Sequence, residues 1–420
     1  MRILQVHKYF SGTRGGGSVS AFFQTKRILE NRGHTVQIFS MQDDENYRSK
    51  YSKYFAEHFD INKAENLWEK MKFAYKSIYN REAQKKLEAL IKKEKPEVAH
   101  VHNIYHYLTP AILHTLKKHK TPVVFKLSDY KAICPNYKLF VNGEICEKCK
   151  GGKYYQCFLN KCLKNSRGVS LVAMLEAYVH KFIKSYQKVD YFLAPSEFMK
   201  NKCAEFGIPR EKIKILRNAL DVEEFDSPGN FEEENHFLYF GRISEEKGLE
   251  DLLQAVSVLK EQNKLRGNKL KIAGKGPREE YLKNLTRELR LEEEIEFVGF
   301  KQGEELKEVI RKSKFTILPS VWYDNSPMAV SETQLLEKPV IVSDRGGTKE
   351  MIKDKETGFV FKAEDIQDLS KKIEDMINLD KEDRKKMGEK GRENIKNLNS
   401  QEKYYKKLMS IYEDLSEKNI

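Results

Sequence analysis

The sequence has no apolar run long enough to cross a bilayer, no short-period repeat and no low-complexity tract. A membrane-spanning helix needs about 20 predominantly apolar residues, so the sequence predicts no spanning helix. The opening residues Met1 to His7 are too short and too polar for a secretion signal and are typical of a first strand. We therefore expect a cytoplasmic protein, with peripheral placement at the inner membrane face as the alternative.

Recognisable nucleic-acid-binding signatures are also missing, although the formal net charge is +13. The excess is uneven, because residues 131–167 hold eight Lys or Arg against two Glu. Such a segment suits a substrate that carries phosphate, or peripheral contact with an anionic membrane. A role in solubility alone explains the basic excess equally well. Nucleic acid is not an expected partner.

Strand and helix patterns alternate along the chain, whose 420 residues and 40% apolar content can bury two cores. This alternation predicts an α/β protein with two doubly wound parallel sheets. The acidic stretch at 221–235, which contains Ser227, Pro228 and Gly229, is typical of a linker. The predicted strands are Ile3–His7, Val36–Ser40, Val98–His102, Val123–Leu127, Tyr191–Ala194, Phe237–Phe240, Lys269–Ala273, Ile295–Val298, Phe315–Leu318, Val340–Ser343 and Phe359–Phe361.

The segment from Pro319 to Glu332 is the most informative motif. A strand leads into a polar loop with Asp324, and a helix follows whose first turn lies near Ser326 to Met328 and which carries Glu332. A helix start offers free backbone N–H groups and a positive dipole end, which suit an anion. Amides for phosphate and carboxylates for hydroxyls would fit a sugar nucleotide. The alternative is an ordinary strand, loop and helix with two solvated acids.

A second motif follows the predicted strand that ends at Phe240. Arg242 and Lys247 lie in its loop, just before an amphipathic helix from Leu249 to Lys260. Two cations at the carboxyl end of a strand, beside a helix N-terminus, suit a diphosphate.

Together these motifs resemble glycosyltransferase family 4, whose members are retaining enzymes that use nucleotide-activated sugars. The resemblance covers about nine-tenths of the chain and is specific as an ordered set. It implies the GT-B fold, in which two Rossmann-like domains face each other across a cleft. Here they would be residues 1–220, with a Cys-rich insert at 131–167, and residues 236–395, while a helix within 396–420 would cross back to the first domain. The matching pieces are Gly16-Gly17, Ala194-Pro195-Ser196, Arg217-Asn218, Gly241-Arg242 with Lys247, Gly274-Lys275-Gly276-Pro277, Val298-Gly299-Phe300, the Asp324 and Glu332 pair, and Gly346-Gly347 with Glu350.

The resemblance also implies roles for single residues. Arg242 and Lys247 would contact the diphosphate, helped by backbone near Asn325, Ser326, Pro327 and Met328 and by Gly16 and Gly17. Glu332 would hold the ribose hydroxyls, with Gly299 and Phe300 near the base, and Asp324 would meet the transferred sugar. Since Arg and Lys offset the charge, no cofactor or divalent metal is required for catalysis. A flexible loop is the alternative for Gly16 and Gly17.

Two positions depart from the family pattern. Asp324 stands where Glu is common, and losing one methylene withdraws the carboxylate by about 1.5 Å. Ser128 stands where many relatives have His before the Asp129-Tyr130 pair. A hydroxyl can hydrogen-bond a sugar oxygen but carries no charge at neutral pH. Front-face attack, in which the leaving phosphate accepts the acceptor's proton, would tolerate Ser128. Alternatively, Ser128 and Asp129 only shape a loop.

Three further features have open interpretations. His102 and Asn103 follow a strand and are candidate acceptor contacts, although such a histidine is more often structural. Cys146, Cys149, Cys157 and Cys162 are clustered, which in a cytosolic chain favours structural zinc over disulfides; an all-thiol loop without metal is the alternative. We expect Cys134 and Cys203 to be small packing residues.

Two aromatic segments are interpreted as packing surfaces. The stripe from Tyr404 to Leu415 has helical spacing, and we expect it to pack. The segment from Tyr51 to Lys95 mixes aromatics with lysines. We favour a core role over a membrane-surface helix for it, because aromatic side chains are usually buried.

The leading functional hypothesis is a transferase that moves a sugar from a UDP- or GDP-sugar to a glycan or lipid-linked acceptor, in cell-surface polysaccharide or glycolipid synthesis. The second is other sugar-nucleotide chemistry on the same fold, by an epimerase or a phosphorylase. The third is a binding protein that has lost catalysis, which the departures at Asp324 and Ser128 permit. Fold alone does not separate them.

Overall fold

The computed structural model describes residues 1–12, 16–59, 65–225 and 232–417, and the chain divides into two compact units. The first unit contains Met1–Val141, Cys146–Ala219 and Gln401–Ile420. The second contains Asn142–Ile145 and Leu220–Ser400. The predicted linker signal at Ser227 to Gly229 lies outside the described residues.

The sheet of the first unit has six parallel strands in the order β2-β1-β3-β4-β7-β8. Its strands are almost continuously buried, because helices cover both faces of such sheets. Two short strands, β5 and β6, lie outside it. The strands are β1 (Arg2–Val6), β2 (Thr35–Phe39), β3 (Val98–Val101), β4 (Val123–Lys126), β5 (Phe140–Val141), β6 (Glu144–Ile145), β7 (Tyr191–Ala194) and β8 (Ile213–Ile215).

Helices connect the strands of this sheet, and four of them begin at a side-chain cap. Asn66, Asn80, Ser166 and Ser196 each accept a hydrogen bond from the backbone N–H three residues on, which satisfies one free donor of the first turn. The helices are α1 (Gly16–Glu30), α2 (Leu67–Ile78), α3 (Arg81–Glu94), α4 (Ile112–Lys118), α5 (Tyr155–Leu159), α6 (Arg167–Phe182) and α7 (Glu197–Glu205).

The second unit repeats this architecture with six parallel strands in the order β11-β10-β9-β12-β13-β14. Its strands are β9 (His236–Phe240), β10 (Lys269–Ala273), β11 (Ile295–Gly299), β12 (Thr316–Leu318), β13 (Val340–Ser343) and β14 (Gly358–Phe361). Its helices are α8 (Leu249–Glu261), α9 (Glu279–Glu288), α10 (Gly303–Lys312), α11 (Met328–Leu335), α12 (Ile366–Asn378) and α13 (Lys381–Asn399).

The last helix, α14 (Gln401–Glu417), packs against α1 and β3 of the first unit. The Tyr404 hydroxyl lies 2.7 Å from Thr25 Oγ1, and the Tyr412 hydroxyl lies 2.7 Å from Nδ1 of the buried His100. The aromatic stripe of the tail is therefore a packing surface, as its helical spacing predicts.

The predicted α/β class with two parallel sheets is confirmed, and each of the eleven predicted strands overlaps an observed one. Strand β8 and the two-residue strands β5 and β6 were not predicted. The core interpretation of residues 51–95 is wrong for α2, which buries no residue and leaves Trp68 79% exposed. Within the described ranges, no helix is both long enough and apolar enough to cross a membrane.

Candidate active site

The strand order of the second unit creates a candidate site between β9 and β12. From β9 the chain winds outward through β10 and β11, whereas from β12 it winds the other way through β13 and β14. At such a reversal the loops after the two central strands part and leave a crevice at the carboxyl edge. The two sequence motifs are these two loops, so the topology brings them together.

Lys247 and Asp324 are directly paired at this place. The Lys247 ammonium lies 2.5 Å from Asp324 Oδ2, which also accepts a hydrogen bond of 3.2 Å from the Ser320 hydroxyl. Lys247 lies over the Trp322 ring, 5.4 Å from its centre, and Asp324 is only 7% exposed. A charge-assisted bond of this kind holds both groups in a defined geometry.

Two glycines allow the loops to approach this closely. Gly248 has a φ of +67°, and a Cβ there would lie 1.9 Å from the Pro319 carbonyl oxygen. Gly346, also at +67°, would place a Cβ 2.1 Å from the Asp324 carbonyl oxygen, which accepts a hydrogen bond from Gly347 N–H at 2.7 Å. Larger residues would force the loops apart.

The other residues that were predicted to bind the sugar nucleotide lie at the same edge of the second sheet. The Arg242 side chain is exposed in the loop after β9, and its backbone carbonyl accepts a hydrogen bond from the Tyr239 hydroxyl at 2.7 Å. Asn325 is 7% exposed. Ser326, Pro327 and Met328 are half-buried where α11 begins, and the first residue of the helix, Met328, follows Asp324 by four positions.

Glu332 lies half-buried on α11. Burial, with a smaller contribution from the nearby Glu224 carboxylate, raises the pKa of Glu332 to about 7. Because burial disfavours the charged form of the Glu332 carboxylate, a ligand that donates hydrogen bonds to it would stabilise that form. The ribose role that the resemblance implies is consistent with this property.

Gly299 ends β11 at the same edge of the sheet, and Phe300 follows it. Gly299 has a φ of +74°, and the Phe300 ring is 54% exposed. The Lys275 ammonium lies 4.7 Å from the ring centre. An exposed aromatic face in this position can stack on a planar base.

In the first unit, Gly16 and Gly17 form the exposed first turn of α1, and Gly16 has a φ of +56°. Ser128 and Asp129 are half-buried in the loop after β4. Asp129 Oδ2 accepts a hydrogen bond from the Tyr105 hydroxyl, and Oδ1 accepts one from the Lys131 N–H at 2.9 Å. Burial raises the pKa of Asp129 to about 6.

His102 is placed differently from its prediction. Its side chain, just after β3, is 1% exposed and stacks on His100 with ring centres 4.4 Å apart. Burial holds the pKa of His102 well below its usual range, so the ring is neutral. We therefore correct its assignment from acceptor contact to buried packing residue. Asn103, 9% exposed, accepts a hydrogen bond from Lys8 N–H through its carbonyl.

A buried ion pair beside Asp129 was not predicted. The Lys131 ammonium lies 2.6 Å from Glu176 Oε2, and both residues are more than nine-tenths buried. Lys8 is nearby, and burial lowers its pKa to about 8. One signal could have identified Glu176: it is the only acid of helix α6.

The cysteine cluster contains free thiols. Cys149 and Cys157 are buried, Cys146 and Cys162 are half-buried, and the Cys162 N–H donates a hydrogen bond of 3.1 Å to the Cys157 carbonyl oxygen. Across the described ranges, no group of three or more His, Cys, Asp or Glu side chains is arranged to hold a metal ion. The zinc interpretation has no support in this geometry. Cys134 and Cys203 are buried, as expected of packing residues.

Residues 221–394, which lie in the second unit, match the family model described as glycosyl transferases group 1. A putative colanic acid biosynthesis glycosyltransferase, WcaL of Escherichia coli, is 25% identical over 257 residues, or 59% of this chain. The chain spans 62% of the length of that relative.

Solved structures extend the likeness to almost the whole chain. A glycosyltransferase from Rickettsia africae is 20% identical, with a TM-score of 0.66 over 99% of this chain and 98% of that one. HepE of Anabaena, solved with UDP and glucose, is 14% identical, with a TM-score of 0.64 over 99% of this chain and 100% of that one. At these identities the likeness shows the fold, which is the predicted GT-B fold.

Proposed function

We propose that this protein is a retaining glycosyltransferase of family 4 that moves a sugar from a UDP- or GDP-sugar to a glycan or lipid-linked acceptor. The observation that carries the proposal is the pairing of Lys247 with Asp324 at the switch point of the second sheet, beside the first turn of α11. The match of residues 221–394 to group 1 glycosyl transferases supports it.

Each part of the donor has a matching group in the second unit. The diphosphate would lie against Arg242, Lys247 and the first-turn amides of α11, where cations and a helix N-terminus favour negative charge. The base would stack on Phe300, and the ribose hydroxyls would donate to Glu332. Asp324 would accept hydrogen bonds from hydroxyls of the transferred sugar. The HepE structure, which holds UDP and glucose, supports a UDP-sugar as the first donor to test.

The chemistry then needs no protein nucleophile. The bond between the anomeric carbon and the β-phosphate oxygen breaks, and the acceptor oxygen bonds to the same face of that carbon. The acceptor proton passes to the leaving diphosphate, whose growing charge Arg242 and Lys247 stabilise. These cations supply the positive charge, so we propose that no cofactor or divalent metal is required.

Cell-surface polysaccharide or glycolipid synthesis is the proposed setting. The relative WcaL is named for colanic acid biosynthesis, and another relative, CapM of Staphylococcus aureus, is named for capsular polysaccharide biosynthesis. We include a cytoplasmic location and peripheral contact with the anionic inner membrane face in the proposal, because a lipid-linked acceptor would lie in a membrane.

A thermal-shift panel of UDP-, GDP- and ADP-sugars, followed by a transfer assay, tests the proposal. A donor present at 100 times its Kd stabilises the native state by about 2.7 kcal/mol, so the cognate class should stand out. With an acceptor, that donor should yield nucleoside diphosphate and a product of unchanged anomeric configuration. Silence across the panel would contradict the proposal. Donor binding without transfer would indicate a binding protein, isomerisation of the donor sugar without an acceptor would indicate an epimerase, and sugar phosphate formed only when orthophosphate is added would indicate a phosphorylase.

A further inference from the structure

The exposed apolar side chains of this protein are concentrated in one region. Thirteen large apolar side chains in the described ranges are exposed, and ten of them lie on α2, α5 and α6 of the first unit. The most exposed are Phe182 at 87%, Trp68 at 79%, Leu67 at 72% and Leu159 at 62%. Single exposed apolar residues are normal on a soluble protein, but a concentration of this size indicates a binding surface.

The three helices are neighbours in the first unit. Helix α6 contacts both α2 and α5. On α2 the exposed residues Leu67, Met71 and Tyr75 are four positions apart, which places them on one face. We call the exposed apolar side chains of these helices, with the basic residues beside them, the α2–α5–α6 surface.

Positive charge surrounds these apolar side chains. Residues 146–184, which include α5 and α6, hold eight Lys and Arg residues, and all eight are exposed. The only two acids in this range do not offset them. Glu147 is paired with Lys202 at 2.8 Å, and Glu176 is buried against Lys131. On α2, Lys70 and Lys72 are also exposed.

The composition favours an anionic membrane over a protein partner. Protein interfaces are depleted of lysine at their centres. Helices that lie in the membrane surface instead combine Trp, Phe and Leu on one face with Lys and Arg beside them. Anionic headgroups attract each nearby basic residue. Both halves of this pattern are present on these three helices.

We propose that the α2–α5–α6 surface binds the first unit peripherally to an anionic lipid bilayer. Trp68 and Phe182 enter the boundary between headgroups and acyl chains, while the surrounding lysines contact lipid phosphates. The inference deepens the proposed function, because it identifies the surface that would bring the enzyme to a lipid-linked acceptor. It rests on that function only for the identity of the acceptor.

Tryptophan fluorescence provides a direct test. The chain has two tryptophans, so a Trp322→Phe variant of the full-length protein leaves Trp68 as the only one. Its emission should shift to the blue with phosphatidylcholine vesicles that contain phosphatidylglycerol, and brominated acyl chains should quench it. With pure phosphatidylcholine vesicles, or at high salt, the shift should be at least tenfold weaker, because the lysines contribute most of the attraction.

Vesicle flotation of variants separates the two contributions. Trp68→Ser combined with Phe182→Ser should weaken binding by at least tenfold. Lys161→Ala and Lys164→Ala should each weaken it about fivefold at low salt. Tyr281→Ser removes an aromatic that is 40% exposed on the second unit and should have no effect. Circular dichroism checks that every variant is folded.

Three results would overturn the inference: no binding to either vesicle type, equal binding to both, or binding that the four surface substitutions leave unchanged. A partner protein that competes with folded wild type for this surface, in the absence of any vesicle binding, would also overturn it. Donor binding is measured separately, without vesicles. A protein that binds a nucleotide sugar but ignores vesicles would therefore contradict this inference alone.

Discussion

At the scale of the residue, the Lys247–Asp324 pair shows both what the sequence reveals and what it hides. Each residue was predicted as a site residue from its own strand, loop and helix. Their direct contact was not predicted, because they are 77 positions apart. Only the adjacency of β9 and β12 in the sheet, which chain order does not specify, brings them together. Likewise, the Lys131–Glu176 pair joins residues 45 positions apart.

We predict that Asp324→Asn lowers the transfer rate by about 100-fold, the typical cost of removing one preorganised polar contact to a transition state. The amide keeps the size of the side chain but removes the charge that holds Lys247. Steady-state kinetics with the donor found in the thermal-shift panel measure the effect, which should fall on kcat more than on KM.

The matched control for that variant is Asp354→Asn. Asp354 is an exposed acid of the same unit, and it accepts a hydrogen bond from the Val360 N–H at 2.8 Å. Its replacement should leave kcat within about twofold, as expected for a surface substitution away from the site. An Asp324→Asn enzyme of wild-type rate would remove Asp324 from the mechanism.

Glu332 provides a pH-dependent prediction that does not need a substrate. Its pKa is about 7 in the folded protein, against roughly 4.3 in an unfolded chain. Between these values the native state binds more protons than the unfolded state, so this residue makes stability fall as pH rises. The penalty is complete above pH 7 and absent below about pH 4.

We therefore expect Glu332→Gln to be more stable than wild type by roughly 1–3 kcal/mol at pH 8. The difference should close as pH falls toward 4. Urea unfolding across that pH range measures it. A stability difference that is constant with pH would show that the native carboxyl titrates as it does in the unfolded chain.

At the scale of the element, the strands were predictable because parallel strands covered on both faces are short, continuous apolar runs. Strand β8 was not predicted because it has only three residues and carries Lys214 at its centre. The core interpretation of helix α2 was wrong for a different reason. Its aromatic stripe has the spacing of a packing face, and whether another element covers such a face is decided by tertiary structure, not by the stripe itself.

The attachment of α14 to the first unit depends on a few buried contacts. We predict that Tyr412→Phe destabilises the protein by about 1–3 kcal/mol, because it leaves Nδ1 of the buried His100 without its partner. Denaturant unfolding, followed through the first unit, measures the loss. Tyr405→Phe removes a half-buried bond to His34 and should cost less than 1 kcal/mol. Equal losses for the two variants would contradict a special role for the buried contact.

At the scale of the whole molecule, the placement of basic residues beside exposed aromatic residues is only partly evident from the sequence. The basic excess at 131–167 was apparent in the sequence. Its combination with exposed Trp68 and Phe182 was not, since these residues lie on helices far apart in the chain that meet only after folding. Placing the sheets needed only local patterns, whereas locating this surface needed the tertiary structure.

At the scale of the whole molecule, we also predict that sugar transfer does not depend on a divalent metal. We expect dialysis against EDTA to leave the transfer rate unchanged, because in the proposed mechanism Arg242 and Lys247 would supply the positive charge that a divalent ion would otherwise provide. The described ranges also hold no cluster of three or more side chains arranged as metal ligands.

Atomic absorption on protein purified without chelator should find no stoichiometric zinc, and thiol titration in denaturant should count six free cysteines. A rate that falls with EDTA and returns with magnesium would assign a metal to the donor site. Stoichiometric zinc with an unchanged rate would instead place a structural ion on Cys146, Cys149, Cys157 and Cys162, and a Cys157→Ser variant would then lose both the zinc and part of its thermal stability.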